Sequence, residues 1–265
     1  MQLIPDRSAR LVTIITVVYN NAEFIGGAIE SVLSQDYPSI EYIIIDGGST
    51  DGTIEIIEEY RSKIPIFFSE PDEGIFDALN KGIRNASGDI IGILHSDDIF
   101  TDKYVVSDMI REIEDEEIEL IFSDLVIVNE ITGKIFRYYK AQYFRPWLLR
   151  TGWVPPHPTC FMKKTLFDEF GLYSTDYKIA GDFDFFVRMF FRRTIKWKYL
   201  SRITVSMRYG GISNSGISNK ILAAIEINNS LKQNKVWSLA IFQLFRYLIR
   251  VSELLVKPKD KSQYE

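Results

Sequence analysis

Residues 11–52, LVTIITVVYNNAEFIGGAIESVLSQDYPSIEYIIIDGGSTDG, carry the pattern that decides the fold. The run from Leu11 to Val18 is continuously apolar and rich in β-branched residues, which indicates a strand covered by helices on both faces. A polar turn follows, and apolar residues then recur at helical spacing from Ala22 to Gln35, before Pro38. The run from Ile40 to Ile45 repeats the buried-strand pattern. This order of strand, turn, helix and strand is typical of a parallel α/β sheet.

The same alternation continues along the chain. The pattern predicts a helix at Thr53–Tyr60, a strand at Ile64–Phe68, a helix at Gly74–Asn85 and a strand at Ile90–Leu94. Ligands of parallel sheets bind beyond the carboxyl ends of the strands. Because each polar turn in this region lies at such an end, the sequence predicts that these turns meet in one crevice.

The second half of the chain has a less regular pattern. It predicts helices at Tyr104–Glu117 and Asp182–Arg193, strands at Leu120–Val128, Trp197–Leu200 and Ile203–Tyr209, a hairpin return at Lys134–Tyr139, and two helices from Asn219 onward. We expect a main domain at residues 1–215 and a C-terminal helical region at residues 216–265. The apolar stretch 237–256 contains internal arginines that make crossing a bilayer costly. It therefore favours an amphipathic helix on a membrane or a partner, with a buried helix as the alternative.

Composition narrows the class of protein. The 265 residues are 46% hydrophobic, which is enough for one large core, and the net charge of -5 provides no overall positive field for nucleic acid. Cys160 is the one cysteine, so an intrachain disulfide and a cysteine zinc cluster are excluded. Residues 1–10 lack the pattern of a secretory signal, and we expect a cytoplasmic location.

The stretch IIGILHSDD, residues 90–98, is the sharpest chemical signal. A hydrophobic strand ends in two adjacent carboxylates, Asp97 and Asp98. Hard cations such as Mg²⁺ and Mn²⁺ prefer oxygen ligands and commonly bind one or two carboxylates together with substrate phosphates. The pair therefore indicates a metal–diphosphate site, with a solvated loop or a helix cap as the alternative.

Four stretches in order resemble the family 2 glycosyltransferases: TVVYNN from Thr16, SVLSQDYPSIEYIIIDGGSTDGT from Ser31, DEGIFDALNKGIRNASGDIIGILHSDD from Asp72 and AGDFDFFVR from Ala180. The resemblance spans about residues 11–209. It implies the GT-A fold, which has a Rossmann-like, mostly parallel nucleotide-binding sheet, here followed by the C-terminal helical extension.

The implied activity is metal-dependent, inverting transfer of a sugar, hexosyl or N-acetylhexosaminyl, from a UDP-sugar to an acceptor hydroxyl. Similar enzymes assemble bacterial surface polysaccharides. We therefore expect a saccharide acceptor linked to polyprenyl diphosphate, and peripheral contact with the inner face of the plasma membrane.

The resemblance also implies roles for the donor half. Tyr19 would stack on the uracil, beside Asn20 in the same turn, since an aromatic side chain at a strand end offers its face to a base. Asp46 and Asp51 would bind the nucleoside or hold their loop. Asp97 would contact the ribose.

Asp98 would hold the Mn²⁺ or Mg²⁺. His157, in a proline-stiffened loop, would bind the metal or the diphosphate, or serve the structure. Asp77 and Lys81 share one helix face, where the basic residue would meet phosphate or form a surface ion pair. Trp153 would support a sugar ring or pack in the core.

Asp182 matches the general base of similar enzymes. An acceptor hydroxyl is a poor nucleophile until a base removes its proton, and a carboxylate can do this. Capping of a helix is the alternative for Asp182, and Asp184 is the second candidate base.

The chain departs from the family pattern at four positions. Gly47 stands where many relatives carry a second Asp, so a base contact from that position is not carried over. Gly181 replaces a common Glu, and His95 replaces a common Asn. The acidic motif, with Ser96 before the Asp pair, is a shortened form of Asp-any-Asp.

Rival classes lack their own motifs. No G-x-G-x-x-G follows the first strand, as a dinucleotide-dependent oxidoreductase would require, and no P-loop or G-x-S-x-G motif occurs. A nucleotide-sugar-binding protein without catalysis remains the alternative function.

Overall fold

The chain forms one nine-stranded sheet with helices on both faces, in a computed structural model that describes residues 10–113, 117–129, 132–210, 216–239 and 242. The strands are β1 (Val12–Val18), β2 (Ile40–Asp46), β3 (Ile66–Ser69), β4 (Ile90–Ile93), β5 (Asp98–Phe100), β6 (Leu120–Asn129), β7 (Lys134–Tyr139), β8 (Phe161–Lys163) and β9 (Trp197–Arg208). The helices are α1 (Ile25–Leu33), α2 (Thr53–Glu59), α3 (Ile75–Asn85), α4 (Val105–Ile113), α5 (Thr165–Phe170), α6 (Gly181–Arg192) and α7 (Gly216–Gln233).

The first half of the sheet is parallel, as predicted. Strands β3, β2, β1 and β4 lie side by side in that order, and β1 pairs with β2 from Val12 opposite Ile40 to Val18 opposite Asp46. Every residue of β1 is buried, because helices cover both faces of this strand. The turns after β1, β2 and β4 consequently open at one edge of the sheet.

The second half of the sheet is mixed. Strand β8 runs antiparallel to both β4 and β6, β6 and β9 are parallel, and β5 and β7 are antiparallel neighbours of β9 and β6. The prediction of two strands at Trp197–Leu200 and Ile203–Tyr209 was wrong: β9 is one strand. Its pairing with β6 shifts register near Asp124, so a bulge absorbs the residues that interrupt the apolar pattern.

Helix α7 is part of the same body as the sheet. Ile227 and Leu231 are buried in the cluster that contains the apolar face of α6. The described part of α7 thus packs on the main domain, and the boundary predicted at residues 215 and 216 stays a prediction. The predicted stretch 237–256 lies almost entirely outside the described residues. No helix in the described part of the chain is long and apolar enough to span a membrane.

Candidate active site

A cavity of about 680 Å³ opens at the carboxyl ends of β1 and β4. Its polar end is lined by Tyr19, Asn20, Asn21, Asp72, His95, Ser96 and Asp97. The rest of its lining is mainly apolar and comes from β6, the loop 152–158, α6 and α7, among them Leu125, Ile127, Val154, Ile179, Phe183 and Ile227. His157 of that loop belongs to the polar end, because its ring lies beside that of His95. The strand-end turns therefore meet in one crevice, as the sequence predicts.

Hydrogen bonds between turns fix the polar end. The backbone N–H of Asn20 donates to Ser49 Oγ at 2.7 Å, and Asn20 Oδ1 accepts the backbone N–H of Thr50 at 2.8 Å. Asn21 Nδ2 donates to Ser96 Oγ at 2.8 Å. Asn20 adopts a left-handed φ of 47°, which asparagine tolerates better than most residues. These bonds tie together the turns after β1, β2 and β4.

Tyr19 follows a fully buried strand, yet its side chain is 65% exposed. Its ring lines the cavity. A large exposed aromatic ring at the mouth of a polar cavity offers a stacking surface for a planar base.

Asp46 holds its own loop. Its buried carboxylate accepts the backbone N–H groups of Gly48 and Ser49, each at 3.0 Å, and the hydroxyl of Ser69 at 2.7 Å. Ser49 Oγ also donates to it. The carboxylate does not line the cavity. Of the two expectations for Asp46, the geometry fits the structural one, because the hydrogen-bonding capacity of the group is used within the loop.

Asp51 lies at the start of α2, outside the cavity wall. It accepts the backbone N–H of Ala22 at 3.0 Å, and from Thr53 both the backbone N–H at 3.1 Å and the hydroxyl at 2.6 Å. The hydroxyl bond from Thr53 lowers the pKa of Asp51. This geometry again fits loop holding rather than nucleoside binding.

Asp77 and Lys81 form the surface ion pair that was the alternative for them. Lys81 Nζ lies 3.4 Å from Asp77 Oδ2 and 3.0 Å from Glu70 Oε1, and it donates to the carbonyl of Pro71 at 3.0 Å. Neither side chain lines the cavity. Lys81 instead braces the segment that leads to Asp72.

The two adjacent carboxylates have opposite surroundings. Asp97 lines the cavity and is half-buried, whereas Asp98 begins β5 opposite Met207 and is fully buried. The backbone N–H of Arg208 interacts weakly with the Asp98 carboxylate, but neither oxygen has a hydrogen-bond partner of ordinary geometry among the described residues. Burial, together with the charge of Asp97, raises the pKa of Asp98 well above its usual value. The expectation that Asp98 holds the metal is corrected here: its side chain is closed off from the cavity, and Asp97 is the carboxylate that faces it.

His157 reaches the cavity as a neutral side chain. Its Nε2 lies 2.8 Å from the hydroxyl of Tyr173, which leaves Nδ1 for a ligand, and its ring centroid is 6.2 Å from that of His95. Burial, with a contribution from His95, lowers the pKa of His157 to about 3. The imidazole can therefore bind a cation, or donate a hydrogen bond, throughout the physiological pH range.

The cavity fits a metal that is held partly by its substrate. Among the residues that the structure describes, no group of three or more His, Cys, Asp or Glu side chains could hold a metal ion by itself. Mg²⁺ and Mn²⁺ bound to nucleotides need only one or two protein carboxylates, because phosphate oxygens and water complete the shell. Asp97 supplies one such carboxylate.

Asp182 also lines the cavity, from the first turn of α6. Helix α6 begins at Gly181, so Asp182 is not the N-cap residue, and its Oδ1 accepts the adjacent backbone N–H of Phe183 at 2.7 Å. The side chain borders the cavity, and its enclosure by the surrounding walls raises the pKa of Asp182 to about 6. The charge of Glu226 contributes to this rise. A carboxylate with such a pKa accepts a proton more readily than an exposed one.

Glu226, on α7, fixes the loop before Asp182. Its buried carboxylate accepts the backbone N–H groups of Lys178, Ile179 and Ala180 at 2.9, 2.9 and 2.8 Å. Sequence analysis missed Glu226, because it lies in a helix with no motif, far along the chain from Asp182. Its position in a buried turn of α7 appears only in the fold.

Asp184 is engaged in structure, not in the cavity. It accepts hydrogen bonds from Ser230 at 2.8 Å and Asn234 at 3.1 Å, and it pairs with Arg188 at 2.8 Å. These contacts join α7 to α6. Because its carboxylate is already engaged in them, Asp184 remains the second candidate base after Asp182.

Trp153 is a wall of the cavity rather than an open platform. Its side chain is only 4% exposed and stacks with Phe144 at a centroid distance of 5.8 Å. Its Nε1 lacks a hydrogen-bond partner among the described residues. Core packing, the alternative for Trp153, describes most of its surface, although one edge borders the cavity.

The glycine at position 181 has a steric explanation. A Cβ atom on Gly181 would lie 2.8 Å from three ring atoms of Phe76. The aromatic ring of α3 occupies the space that a larger residue would need, so only glycine lets the start of α6 approach α3 this closely.

Comparisons with known proteins agree with this architecture. The model of the family described as Glycosyl transferase family 2 matches residues 13–195, more than half of the chain. An uncharacterized glycosyltransferase of Mycobacterium tuberculosis is 33% identical over 187 residues, which cover 68% of this chain and 69% of that protein. A PGL/p-HBAD biosynthesis glycosyltransferase of Mycobacterium bovis BCG is 25% identical over 229 residues, covering 84% and 87% of the two chains.

Solved structures share the fold at lower identity. Residues 1–349 of S. aureus TarS in complex with UDP-GlcNAc align with a TM-score of 0.67 at 19% identity, over 96% of this chain and 78% of that chain. The mannosyltransferase PcManGT of Pyrobaculum calidifontis, in complex with GDP-Man and Mn²⁺, aligns with a TM-score of 0.62 at 18% identity, over 94% and 70%. The expected GT-A fold is thereby confirmed.

Proposed function

The chain belongs to glycosyl transferase family 2, and from that premise we propose that it transfers a sugar from a UDP-sugar to a saccharide hydroxyl with inversion at the anomeric carbon. The observation that carries the proposal is the arrangement of one cavity. An exposed aromatic ring, Tyr19, and a carboxylate, Asp97, lie at its polar end, and a carboxylate of raised pKa, Asp182, lines the same cavity.

The donor belongs at the polar end. Tyr19 would stack on the base, and the bonded turns around Asn20 would hold the nucleoside. The TarS structures in complex with UDP and with UDP-GlcNAc support a uridine donor, and an N-acetylhexosaminyl or hexosyl group as the sugar.

Asp97, with His157 as a second candidate ligand, would hold Mn²⁺ or Mg²⁺ against the diphosphate. The Mn²⁺ in the PcManGT structure supports this assignment. When bound, the metal would neutralise the charge that develops on the departing UDP. Ribose contact, the expected role of Asp97, is compatible with its position in the same wall.

Asp182 would act as the general base. The acceptor hydroxyl gives its proton to the Asp182 carboxylate while its oxygen forms a bond to the anomeric carbon. The bond from that carbon to the diphosphate oxygen breaks, and UDP leaves with the electron pair. Because attack and departure occur on opposite sides of the carbon, a single displacement inverts its configuration.

A lipid-linked saccharide is the acceptor class that we propose, with the enzyme acting in the cytoplasm or at the inner face of the plasma membrane. We place the acceptor in the apolar part of the cavity, which we call the acceptor end. Its walls include Leu125, Ile127 and Ile227, and such walls support an acceptor with an apolar portion. The name of the mycobacterial relatives, which refers to PGL/p-HBAD biosynthesis, also supports an acceptor of this kind.

The experiment is an assay of UDP release from a panel of UDP-sugars, with and without Mn²⁺ and with and without polyprenyl-diphosphate-linked saccharides. We expect release that depends on both the metal and the acceptor, and NMR of the product should show the inverted anomer. Binding of UDP-sugar without acceptor-dependent release would favour the alternative, a binding protein without catalysis. A product with retained configuration would refute single displacement.

A further inference from the structure

At the polar end of the cavity, one carboxylate oxygen of Asp72 has no hydrogen-bond partner among the described residues. Its Oδ1 accepts the backbone N–H of Gly74 at 2.8 Å, which orients the group. In the described part of the chain, no residue donates a hydrogen bond to its Oδ2 or forms an ion pair with it. The side chain lines the cavity and is half-buried, so this oxygen is available to a ligand without first losing a protein partner.

The position of that oxygen is set by the absence of a side chain at residue 47. A Cβ atom on Gly47 would lie 2.5 Å from Asp72 Oδ2 and 3.4 Å from Tyr19 Cδ2. The free oxygen and the exposed ring thus border the same small space. Gly47 has no positive φ that would require glycine, so the effect of a larger residue there would be to displace the Asp72 carboxylate from its present position.

We propose that Asp72, in the space left by Gly47, is a specificity-determining residue that accepts the N3–H of the uracil stacked on Tyr19. This inference rests on the proposed uridine donor. A base that stacks on the Tyr19 ring presents its hydrogen-bonding edge sideways, toward the groups at the ring margin. An ionised carboxylate only accepts, so it pairs with a base that has a ring N–H on that edge, such as uracil. Cytosine has a lone pair at N3 and would be repelled there.

Two features keep this oxygen in place. Lys81 holds the carbonyl of Pro71, the residue before Asp72, and Pro71 itself packs over Gly48. The Asp72 carboxylate is therefore presented by a braced segment rather than by a free loop, and little ordering is needed when the base binds.

The test is calorimetric titration of UDP and CDP, with Mn²⁺, into the full-length protein and its variants. We expect Asp72→Asn to weaken UDP binding by about 10- to 100-fold, as for loss of one charge-assisted hydrogen bond. The same variant should narrow the preference for UDP over CDP, because the amide can donate to the N3 of cytosine. Glu73→Gln, which alters the exposed neighbouring carboxylate, is the matched control and should leave both affinities unchanged.

A reciprocal pair of substitutions separates recognition from damage to the fold. Gly47→Asp alone should weaken UDP binding, because it crowds Asp72 and adds a like charge. Asp72→Ala alone should also weaken it. The double variant Gly47→Asp/Asp72→Ala should regain affinity, since the new carboxylate enters the vacated space beside Tyr19.

The outcomes distinguish this inference from the proposed function. Wild-type protein that binds UDP, with Asp72→Asn and Asp72→Ala leaving both the affinity and the UDP preference unchanged, would overturn the role of Asp72 alone. Wild-type protein that binds no uridine nucleotide, but binds another, would refute the proposed donor and, with it, uracil as the partner of Asp72. Melting temperatures measured alongside confirm that each variant is folded.

Discussion

The two ends of the cavity are built by different means. At the donor end, each polar group follows a strand of one parallel half-sheet, and short hydrogen bonds such as Asn21 to Ser96 join turns that the strand order already brings together. At the proposed acceptor end, the walls come from β6, part of the loop 152–158, α6 and α7, and Glu226 holds the loop before Asp182 from a helix outside the sheet. The donor end is a consequence of sheet topology, whereas the acceptor end depends on how separate elements pack.

This difference separates binding from chemistry. If the division is correct, substitutions at the donor end reduce affinity for nucleotide and metal, and substitutions at the acceptor end reduce the rate of transfer while nucleotide binding stays intact. Four measurements test it, beginning with the largest expected effect.

Asp182→Asn should reduce kcat by about 10²- to 10⁴-fold, the usual contribution of a general base. The amide keeps the size of the side chain but cannot take the proton of the acceptor. Affinity for UDP, measured by calorimetry, should not change. Near-normal transfer by the folded variant would remove Asp182 from the mechanism, and a large loss of UDP affinity would break the division between the two ends.

Asp97→Asn should weaken the Mn²⁺-dependent part of UDP binding by at least about 10- to 100-fold, the loss that even second-shell changes cause at metal sites. Binding measured in EDTA should change much less. Equal loss with and without Mn²⁺ would assign Asp97 to the nucleoside, as in ribose contact, rather than to the metal.

Glu226→Gln should lower kcat by about fivefold, close to the effect of one ordinary hydrogen bond of about 1 kcal/mol. The new amide nitrogen would face backbone N–H groups that now donate to a carboxylate. The pH profile gives the more specific readout. In the wild type, kcat/KM should rise with pH through about 6, because Asp182 must be ionised to act as base and its pKa is raised to about 6.

Loss of the Glu226 charge should move the rise in kcat/KM to lower pH, since that charge contributes to the raised pKa of Asp182. Cys160 and Tyr173 also lie near Asp182. Both are neutral, because burial raises their pKa values well above the usual range, so neither adds a charge that would shift the pKa of Asp182. His157 is neutral as well. Lys232→Gln, on the exposed side of α7, is the control. A lower kcat with an unmoved pH profile would assign Glu226 a purely structural role.

Asp98→Asn should have the smallest effect, and in the opposite direction: a higher melting temperature at pH 7 to 8 with UDP binding retained. The folded-state pKa of Asp98 is raised, so the folded protein binds this proton more tightly than the unfolded chain does. The free energy of unfolding therefore falls as pH rises from the unfolded pKa through the raised folded value. Asparagine does not ionise, so the variant avoids this fall in the free energy of unfolding. Each 1 kcal/mol of unfolding free energy regained corresponds to a rise in melting temperature of about 2–4 °C for a chain of this size.

The stability difference between Asp98→Asn and the wild type should vanish toward acidic pH, where Asp98 is protonated in both states. Loss of Mn²⁺-dependent UDP binding in this variant, with normal binding in Asp97→Asn, would reverse the assignment of the two carboxylates.

The donor end shows how far the sequence leads. Continuous β-branched runs predict β1, β2 and β4, and the strand order then fixes where their turns meet, so Tyr19 and Asp97 are correctly placed in one crevice. Asp46, Asp51 and Lys81 show the limit. A polar residue in a turn has the same sequence signal whether its side chain bonds a ligand or its own loop, and only the geometry of its neighbours distinguishes the two.

The short elements β5, β8 and α5 were not predicted, because three to six residues carry too little periodicity to indicate a strand or helix. Asp98 was misassigned for a related reason. Asp97 lies in a turn, whereas Asp98 is the first residue of β5, and the pairing of β5 with β9 places Asp98 in the buried interior.

The sequence by itself determined the α/β order, the family, and the presence of an acidic motif at a strand end. It could do so because apolar periodicity and local motifs are properties of neighbouring residues. Only the tertiary structure decided which of two carboxylates faces the cavity, that Glu226 supports Asp182, and that Asp72 occupies the space beside Gly47. Those relations join residues far apart in the chain, and they depend on packing distances that no local pattern encodes.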